Sequence, residues 1–220
     1  MPEDSQVDSV FPPPEQPEPP PFTLWIDSEG GFLVVPKSRA VVGQADPDRA
    51  VDVPIVADLE AQHLIIHRGG GGFQIEPIGE VYVAGRRVRE VETIVSGDIL
   101  TLSGGVQLRL ETPNPLSGSA RLVILSRHRT RPWSDGVLLM SDALLVGPSP
   151  RDHVRCRTWE KGVVLHRRGE ELLLRFPAPL EIDGRIVTGP SVISTKSRVH
   201  GPDFSFSLEP MSVTDSSEAH

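Results

Sequence analysis

Two short stretches, VQLRLE at residues 106–111 and FSFSLE at residues 204–209, decide the fold class of this chain. In both of them every second residue is apolar and the residues between are polar. A period of two is that of a β-strand with one face buried and the other in water. We therefore expect a buried row on each strand, formed by Leu108, Leu110, Phe204, Phe206 and Leu208.

These stretches belong to a repeat that covers most of the chain. VYVAGRRV at 81–88 matches LEIDGRIV at 180–187, and LIIHRGG at 64–70 matches VVLHRRG at 163–169, each pair 99 residues apart. A near-constant offset of about half the 220 residues predicts two copies of one domain in tandem. Short strand-like runs separated by turn residues, without a sustained helical period, predict that both copies are antiparallel β-sandwiches.

The composition divides the chain into five parts. Residues 1–21 are acidic and proline-rich, with seven prolines between positions 12 and 21, and are predicted to be disordered. The first sandwich is predicted over 22–113 and the second over 120–210. The break in composition at 114–119 predicts a linker, and residues 211–220 predict a disordered polar tail.

The distribution of charge and cysteine limits the partners and the compartment. The net charge is −8, although residues 118–210 carry 14 basic against 10 acidic side chains. This excess is small and lacks interleaved aromatics, so docking on the acidic half, or no partner at all, is favoured over nucleic acid, which we do not expect as a partner. No apolar run is long enough to span a membrane. A single cysteine and the lack of a signal pattern favour a cytoplasmic location.

The side chains that could take part in catalysis or metal binding are better explained by structural roles. His63 and His67 face the same side of one strand, but a metal site needs more ligands than these two. Cys156 would need a positioned base to act as a nucleophile, and although the neighbouring arginines could lower its pKa, a buried or unreactive thiol is favoured. The basic run at 127–131 could hold a phosphate, but a solvated hairpin loop is the favoured interpretation. We therefore expect no enzyme, no metal and no cofactor.

Several motifs occur in an order that resembles the forkhead-associated (FHA) domain family. They are Gly43, the strand that begins at Asp52, His63 and the segment VSGDILTL at 95–102. The resemblance covers about 22–113 and, more faintly, 118–210. That family is a β-sandwich whose loops at one end bind phosphothreonine peptides. The resemblance implies a peptide-binding loop set here that includes Gln44, Arg49, Glu60, His63, Gly79 and Gly85.

The chain departs from that family at the positions that contact phosphate or peptide backbone. Gln44 stands in place of an arginine, which removes a charge-assisted donor, and Glu60 stands in place of a serine and repels a phosphate. Gly79 stands in place of an asparagine. The resemblance thus implies a non-catalytic interaction module, an adaptor or scaffold, whose phosphothreonine contacts are largely lost. The alternative is a genuine phosphopeptide-binding signalling adaptor in which Arg49 replaces the missing arginine. In both cases the expected partner is a protein or phosphopeptide, and the oligomeric state stays open.

Overall fold

The computed structural model describes residues 18–69 and 72–211. Within them the regular structure is almost all strand, as the period-two rows predict, and the all-β class is confirmed. The two helices are single 3-10 turns, Ser103–Gly105 and Pro115–Ser117. No helix in the described ranges has the length and hydrophobicity needed to cross a membrane. Of the segments predicted to be disordered, 1–21 and 211–220, residues 1–17 and 212–220 lie outside the described residues.

Twenty-two strands follow one another along the described chain. The first eleven are β1 Phe22–Ile26, β2 Gly30–Val35, β3 Arg39–Gln44, β4 Val53–Ile55, β5 Leu64–Gly69, β6 Gly72–Pro77, β7 Val81–Val83, β8 Arg86–Val88, β9 Glu92–Ile94, β10 Ile99–Leu102 and β11 Gln107–Glu111. The second eleven are β12 Ala120–Ile124, β13 Gly136–Leu139, β14 Ala143–Gly147, β15 Val154–Arg155, β16 Val163–Arg168, β17 Glu171–Arg175, β18 Leu180–Ile182, β19 Arg185–Val187, β20 Ser191–Ile193, β21 Arg198–His200 and β22 Ser205–Pro210.

The strands form one long sheet and two shorter ones. The long sheet has twelve strands in the order β19-β18-β21-β22-β1-β2-β13-β12-β11-β10-β7-β8. The five-stranded sheets have the orders β4-β3-β5-β6-β9 and β15-β14-β16-β17-β20, so equivalent strands take equivalent places in them. Most neighbours are antiparallel, and the parallel pairs are β3 with β4, β14 with β15, and β2 with β13.

Two hydrophobic cores lie against the long sheet, and the parallel pair at its middle contributes to both. Phe32 and Val34 of β2 pack in one core, whereas Leu33 and Val35 pack in the other. Successive side chains of a strand point to opposite faces. At β2, the two cores therefore lie on opposite faces of the long sheet. The five residues expected to be buried from the alternation, Leu108, Leu110, Phe204, Phe206 and Leu208, are all buried.

The two halves of the chain exchange their first hairpins. Strand β1 pairs with β22 at the end of the second copy, and β12 pairs with β11 at the end of the first. The registers are equivalent, because Leu24 lies opposite Leu208 just as Leu122 lies opposite Leu110. The cores thus divide the chain differently from the sequence copies, and the boundaries around residues 114–119 stay a prediction.

Residues next to the long sheet have local structure that their sequence explains. Between β11 and β12, the Asn114 side chain accepts a hydrogen bond from Leu116 N at 3.2 Å and caps the second 3-10 turn. Gly118 ends that turn in the left-handed region, with φ 66°, which favours glycine. At the start of the described chain, Glu18 accepts a hydrogen bond from Ser38 N at 2.8 Å, so the end of the proline-rich segment contacts the fold.

Candidate functional site

Four of the six residues implied by the resemblance are linked directly at one end of the first five-stranded sheet. Gln44 ends β3, Glu60 lies between β4 and β5, His63 immediately precedes β5, and Gly79 lies between β6 and β7. The Gln44 backbone N–H donates to the Glu60 carbonyl at 3.1 Å. The His63 carbonyl accepts from the backbone N–H of Gly79 at 2.8 Å. These contacts join three loops into one surface.

The His63 side chain is buried beneath this surface and holds its loops together by hydrogen bonds to their backbone. Its Nδ1 accepts from the Glu60 backbone N–H at 3.2 Å, and its Nε2 lies 3.0 Å from the Glu80 carbonyl oxygen. A carbonyl can only accept, so Nε2 carries the proton and Nδ1 does not. The residue is only 1% exposed. Both ring nitrogens are thus engaged with backbone groups, and His63 has a structural role as expected.

Gly79 and Gly43 permit close approach of the chain at this place. A Cβ at Gly79 would lie 2.2 Å from Cε1 of His63, and a Cβ at Gly43 would lie 2.1 Å from the Ala61 carbonyl oxygen. Neither distance is compatible with a side chain. The glycine at 79 is therefore required by the packing of the His63 ring, which accounts for the lack of a side-chain amide there.

The other two implied residues lie in separate turns. Arg49 is exposed, and its backbone N–H donates to the Asp46 carbonyl at 3.3 Å across its own turn. Gly85 follows Ala84 in the two-residue connection between β7 and β8, where their φ angles are 78° and 49°. Two successive positive φ values are typical of a tight hairpin turn. Thus the structure shows no direct link from Arg49 or Gly85 to the Glu60–His63 pair within the described residues.

The accessible side chains of this surface are Gln44 and Glu60, both exposed. The nearby carboxylate of Asp52 is directed inward instead. It accepts from Val41 N at 2.9 Å and from Lys37 Nζ at 2.6 Å. Asp52 therefore supports β3, while Glu60 remains a carboxylate that a ligand at the loops would meet.

In the second copy, His153 and Cys156 are both buried. His153 Nδ1 accepts from Leu145 N at 3.0 Å, and its Nε2 lies 2.9 Å from the Ser117 hydroxyl. Burial lowers the pKa of His153. Burial also raises the pKa of the Cys156 thiol to about 12, with smaller contributions from Glu29 and Asp152. The thiol therefore stays protonated near neutral pH, which does not suit a nucleophile.

The basic run at 127–131 is placed beside the first copy, which the sequence did not indicate. Arg129 O accepts from Val56 N at 2.9 Å, and Arg131 N donates to the Pro54 carbonyl at 3.0 Å. Ile55 and Thr130 form an isolated antiparallel bridge. The loop between β12 and β13 thus covers the edge of β4 and presents the exposed side chains of Arg129 and Arg131 there.

Metal binding has no candidate in the described ranges 18–69 and 72–211, where no group of three or more His, Cys, Asp or Glu side chains is placed to hold an ion. His67 contacts Glu76 through Nε2 and Oε2 at 2.7 Å. The two histidines of the β5 region therefore have separate partners, since His63 binds the backbone at Glu60 and Glu80.

Comparison with known proteins adds one structural likeness. No protein-family model matches the chain, and no curated protein does. Among solved structures, the chain is similar to the FHA-2 domain of the Mycobacterium tuberculosis ABC transporter Rv1747, determined by NMR. The identity is 22%, the TM-score is 0.31, and the match covers 42% of this chain and 79% of that one.

Proposed function

We propose that the protein is a non-catalytic protein-interaction module whose contact surface is the loop end fastened by His63. The observation that carries this proposal is the network in which one buried ring binds Glu60 N and Glu80 O. Loops held in this way are pre-ordered, so a partner that binds them loses less conformational freedom than with mobile loops. The partner is then a protein or peptide segment. A cytoplasmic location stays a prediction.

The charges at the loop end support loss of phosphothreonine recognition. Gln44 offers a neutral amide where a guanidinium would form a charge-assisted bond. Glu60 is exposed beside it, and its backbone carbonyl already accepts from Gln44 N. A carboxylate and a phosphate dianion about 4 Å apart in a partly wet site repel by a few kcal/mol. The surface therefore suits a ligand without a phosphate.

The two side chains most able to act in catalysis are unsuited to it here, which supports the non-catalytic part of the proposal. The Cys156 thiol has its pKa raised to about 12 and is buried. The His63 ring uses both nitrogens in backbone hydrogen bonds, so it has no nitrogen left to exchange a proton with a substrate.

Matched phosphothreonine and threonine peptides in isothermal titration test the proposal. The wild-type chain should bind both members of a pair within about twofold. The double variant Gln44→Arg/Glu60→Ser should gain a phosphate preference of about 2 kcal/mol or more, because it adds a charge-assisted donor and removes a repulsion. The control is Gln44→Asn/Glu60→Gln, which removes the carboxylate without adding a cation. Strong phosphate-dependent binding by the wild type would contradict the proposal.

The second candidate function is phosphopeptide binding through non-standard arginines. Arg49 is one candidate, and the position of Arg129 and Arg131 along β4 favours two more. These side chains are exposed next to the strand that leads to the loop of Glu60. If wild-type binding depends on phosphate, Arg129→Gln/Arg131→Gln and Arg49→Gln will show which arginines supply it, since the correct change lowers affinity for the phosphorylated peptide alone.

A further inference from the structure

A cleft of about 720 Å³ lies between the two halves of the molecule, away from Gln44 and Glu60. Residues that line it include Ser38, Arg68, Ser96, Leu116, Asp142 and Arg167. The two arginines hold equivalent places in the two copies, 99 residues apart, near the ends of β5 and β16. Each donates its backbone N–H at 2.8 Å to the segment before β3 or β14, to Ser38 O and Asp142 O respectively. The fold therefore brings two guanidinium groups to one cleft.

Arg167 is held in position by backbone carbonyls. Its Nε donates to Ser141 O at 3.3 Å and its Nη1 donates to Pro36 O at 3.2 Å. Its nearest carboxylate is Glu18, with Nη1 and Oε1 3.6 Å apart. Their side chains are only 17% and 14% exposed, so this ion pair is shielded from water. Glu18 also accepts from Ser38 N at 2.8 Å, which fixes its carboxylate against two residues of the cleft wall, Ser38 and Arg167.

Arg68 is the less satisfied of the two. Its Nη1 is buried and has no hydrogen-bond partner in the part of the chain that the structure describes. Burial, and then the charge of Arg167, lower the pKa of Arg68 to about 10, while Glu18 and Asp142 act in the opposite direction. The group therefore remains a cation at neutral pH. A buried donor without an acceptor is unfavourable, and an acceptor oxygen brought within hydrogen-bond distance of it removes that cost.

We propose that this cleft is an oxyanion-binding site, in which Arg68 and Arg167 hold a phosphate or carboxylate group of a ligand and Glu18 occupies part of the same place when the ligand is absent. The planar guanidinium fork binds both groups with paired hydrogen bonds. Glu18 already shows how a carboxylate approaches Arg167. This proposal does not rest on the proposed function, because it uses none of the loop residues.

The cleft also indicates the size and surroundings of the ligand. Its volume is far larger than one oxyanion, so the anionic group belongs to a larger molecule. The charges of Arg68 and Arg167 balance those of Glu18 and Asp142, and a ligand anion that displaces Glu18 restores this balance. Leu116 on the cleft wall is 99% exposed, which leaves an apolar contact for the remainder of such a ligand.

Chemical-shift titration of the ¹⁵N-labelled full chain with inorganic phosphate, acetate and chloride at constant ionic strength tests the proposal. Phosphate or acetate, but not chloride, should shift the backbone signals of Ser38 and Asp142 and saturate at millimolar concentrations. Glu18→Gln should tighten binding about fivefold or more, because it removes the competing carboxylate. Arg68→Gln should weaken binding at least tenfold, and Arg68→Lys should fall between because it keeps the charge and loses the fork.

The matched control is Arg185→Gln, an exposed arginine of β19 at the far edge of the long sheet, which should bind as the wild type does. Saturation by phosphate alone would assign the site to phosphorylated ligands, and saturation by acetate alone to carboxylates. The absence of saturable shifts in both the wild type and Glu18→Gln would overturn the proposal. Equal weakening by Arg68→Gln and Arg185→Gln would also overturn it, because the effect would then be one of net charge.

Discussion

Gly79→Ala should destabilise the protein through the His63 ring and not through the backbone of the glycine itself. The added Cβ would lie 2.2 Å from Cε1 and 2.3 Å from Nδ1 of His63. Because carbon atoms pack at about 3.5–4.0 Å, the ring must move by roughly 1 Å or more. Its bonds to Glu60 N and Glu80 O are already 3.2 and 3.0 Å long, so a shift of that size breaks them.

The magnitude follows from the two ring nitrogens. His63 is 1% exposed, so water does not replace the lost partners. Each buried polar atom left unpaired costs about 1–3 kcal/mol, and the loss of both partners should therefore cost about 2–6 kcal/mol in the free energy of unfolding. Urea denaturation followed by circular dichroism and tryptophan fluorescence measures this loss.

A double-mutant cycle separates this mechanism from general damage to the loop. In a His63→Ala background the ring is absent, so Gly79→Ala should be close to neutral, with a coupling energy of about 2 kcal/mol or more. Gly85→Ala is the control, because a Cβ there meets nothing within 4 Å and its cost comes from φ 78° alone. That cost should be about 1 kcal/mol in both backgrounds. Additive losses for Gly79→Ala and His63→Ala would refute the reasoning.

Two further predictions concern the core and the second histidine. Phe204→Ala should cost about 3–5 kcal/mol by lost transfer and cavity terms, since the ring stacks on Trp159 with centroids 4.3 Å apart; a change in urea midpoint equivalent to less than about 1 kcal/mol would contradict its burial. Because burial lowers the pKa of His153 below its unfolded value of 6.5, stability should be complete above that pH and fall as the pH drops toward the folded-state pKa, where only the unfolded chain gains a proton. Replacement by asparagine should flatten this part of the urea-midpoint profile between pH 7.5 and 5, and an unchanged slope would assign the pH dependence to other groups.

The faces of the strands could be predicted from sequence because burial has the period of the strand. Phe204, Phe206 and Leu208 alternate with polar residues and are buried, while the intervening Ser205 and Ser207 are partly exposed. The turn formed by Ala84 and Gly85 is equally local, since these two residues alone connect two short strands. Such features depend on neighbours in the chain, which a sequence displays directly.

The candidate site was harder to predict from the sequence because it depends on contacts between segments that are distant in the chain. The resemblance implied a loop set that also included Arg49 and Gly85, and within the described residues hydrogen bonds link only Gln44, Glu60, His63 and Gly79 of the six. It did not indicate that Arg129 lies along β4. Nor did it indicate that two arginines share a cleft, although both were visible in the repeated stretches at 64–70 and 163–169. Equivalence in a repeat shows that two residues have similar local surroundings, and it leaves their distance undetermined.

The exchange of hairpins shows why the repeat alone did not determine which strands pair. Strand β1 meets β22 in the same register in which β12 meets β11, so each hairpin fits beside the closing strand of either copy. Side-chain pairing therefore does not determine whether β1 or β12 pairs with β11.

The length of the connection determines this pairing. Strand β11 ends at Glu111 and β12 begins at Ala120, which leaves only a short loop between them. A short loop favours antiparallel pairing of consecutive strands, since little chain entropy is lost on closing it. Once β12 and β13 occupy that place, the position beside β22 is left for β1 and β2. The same pairing sets β2 alongside β13, and the two halves share a continuous sheet beneath the cleft of Arg68 and Arg167.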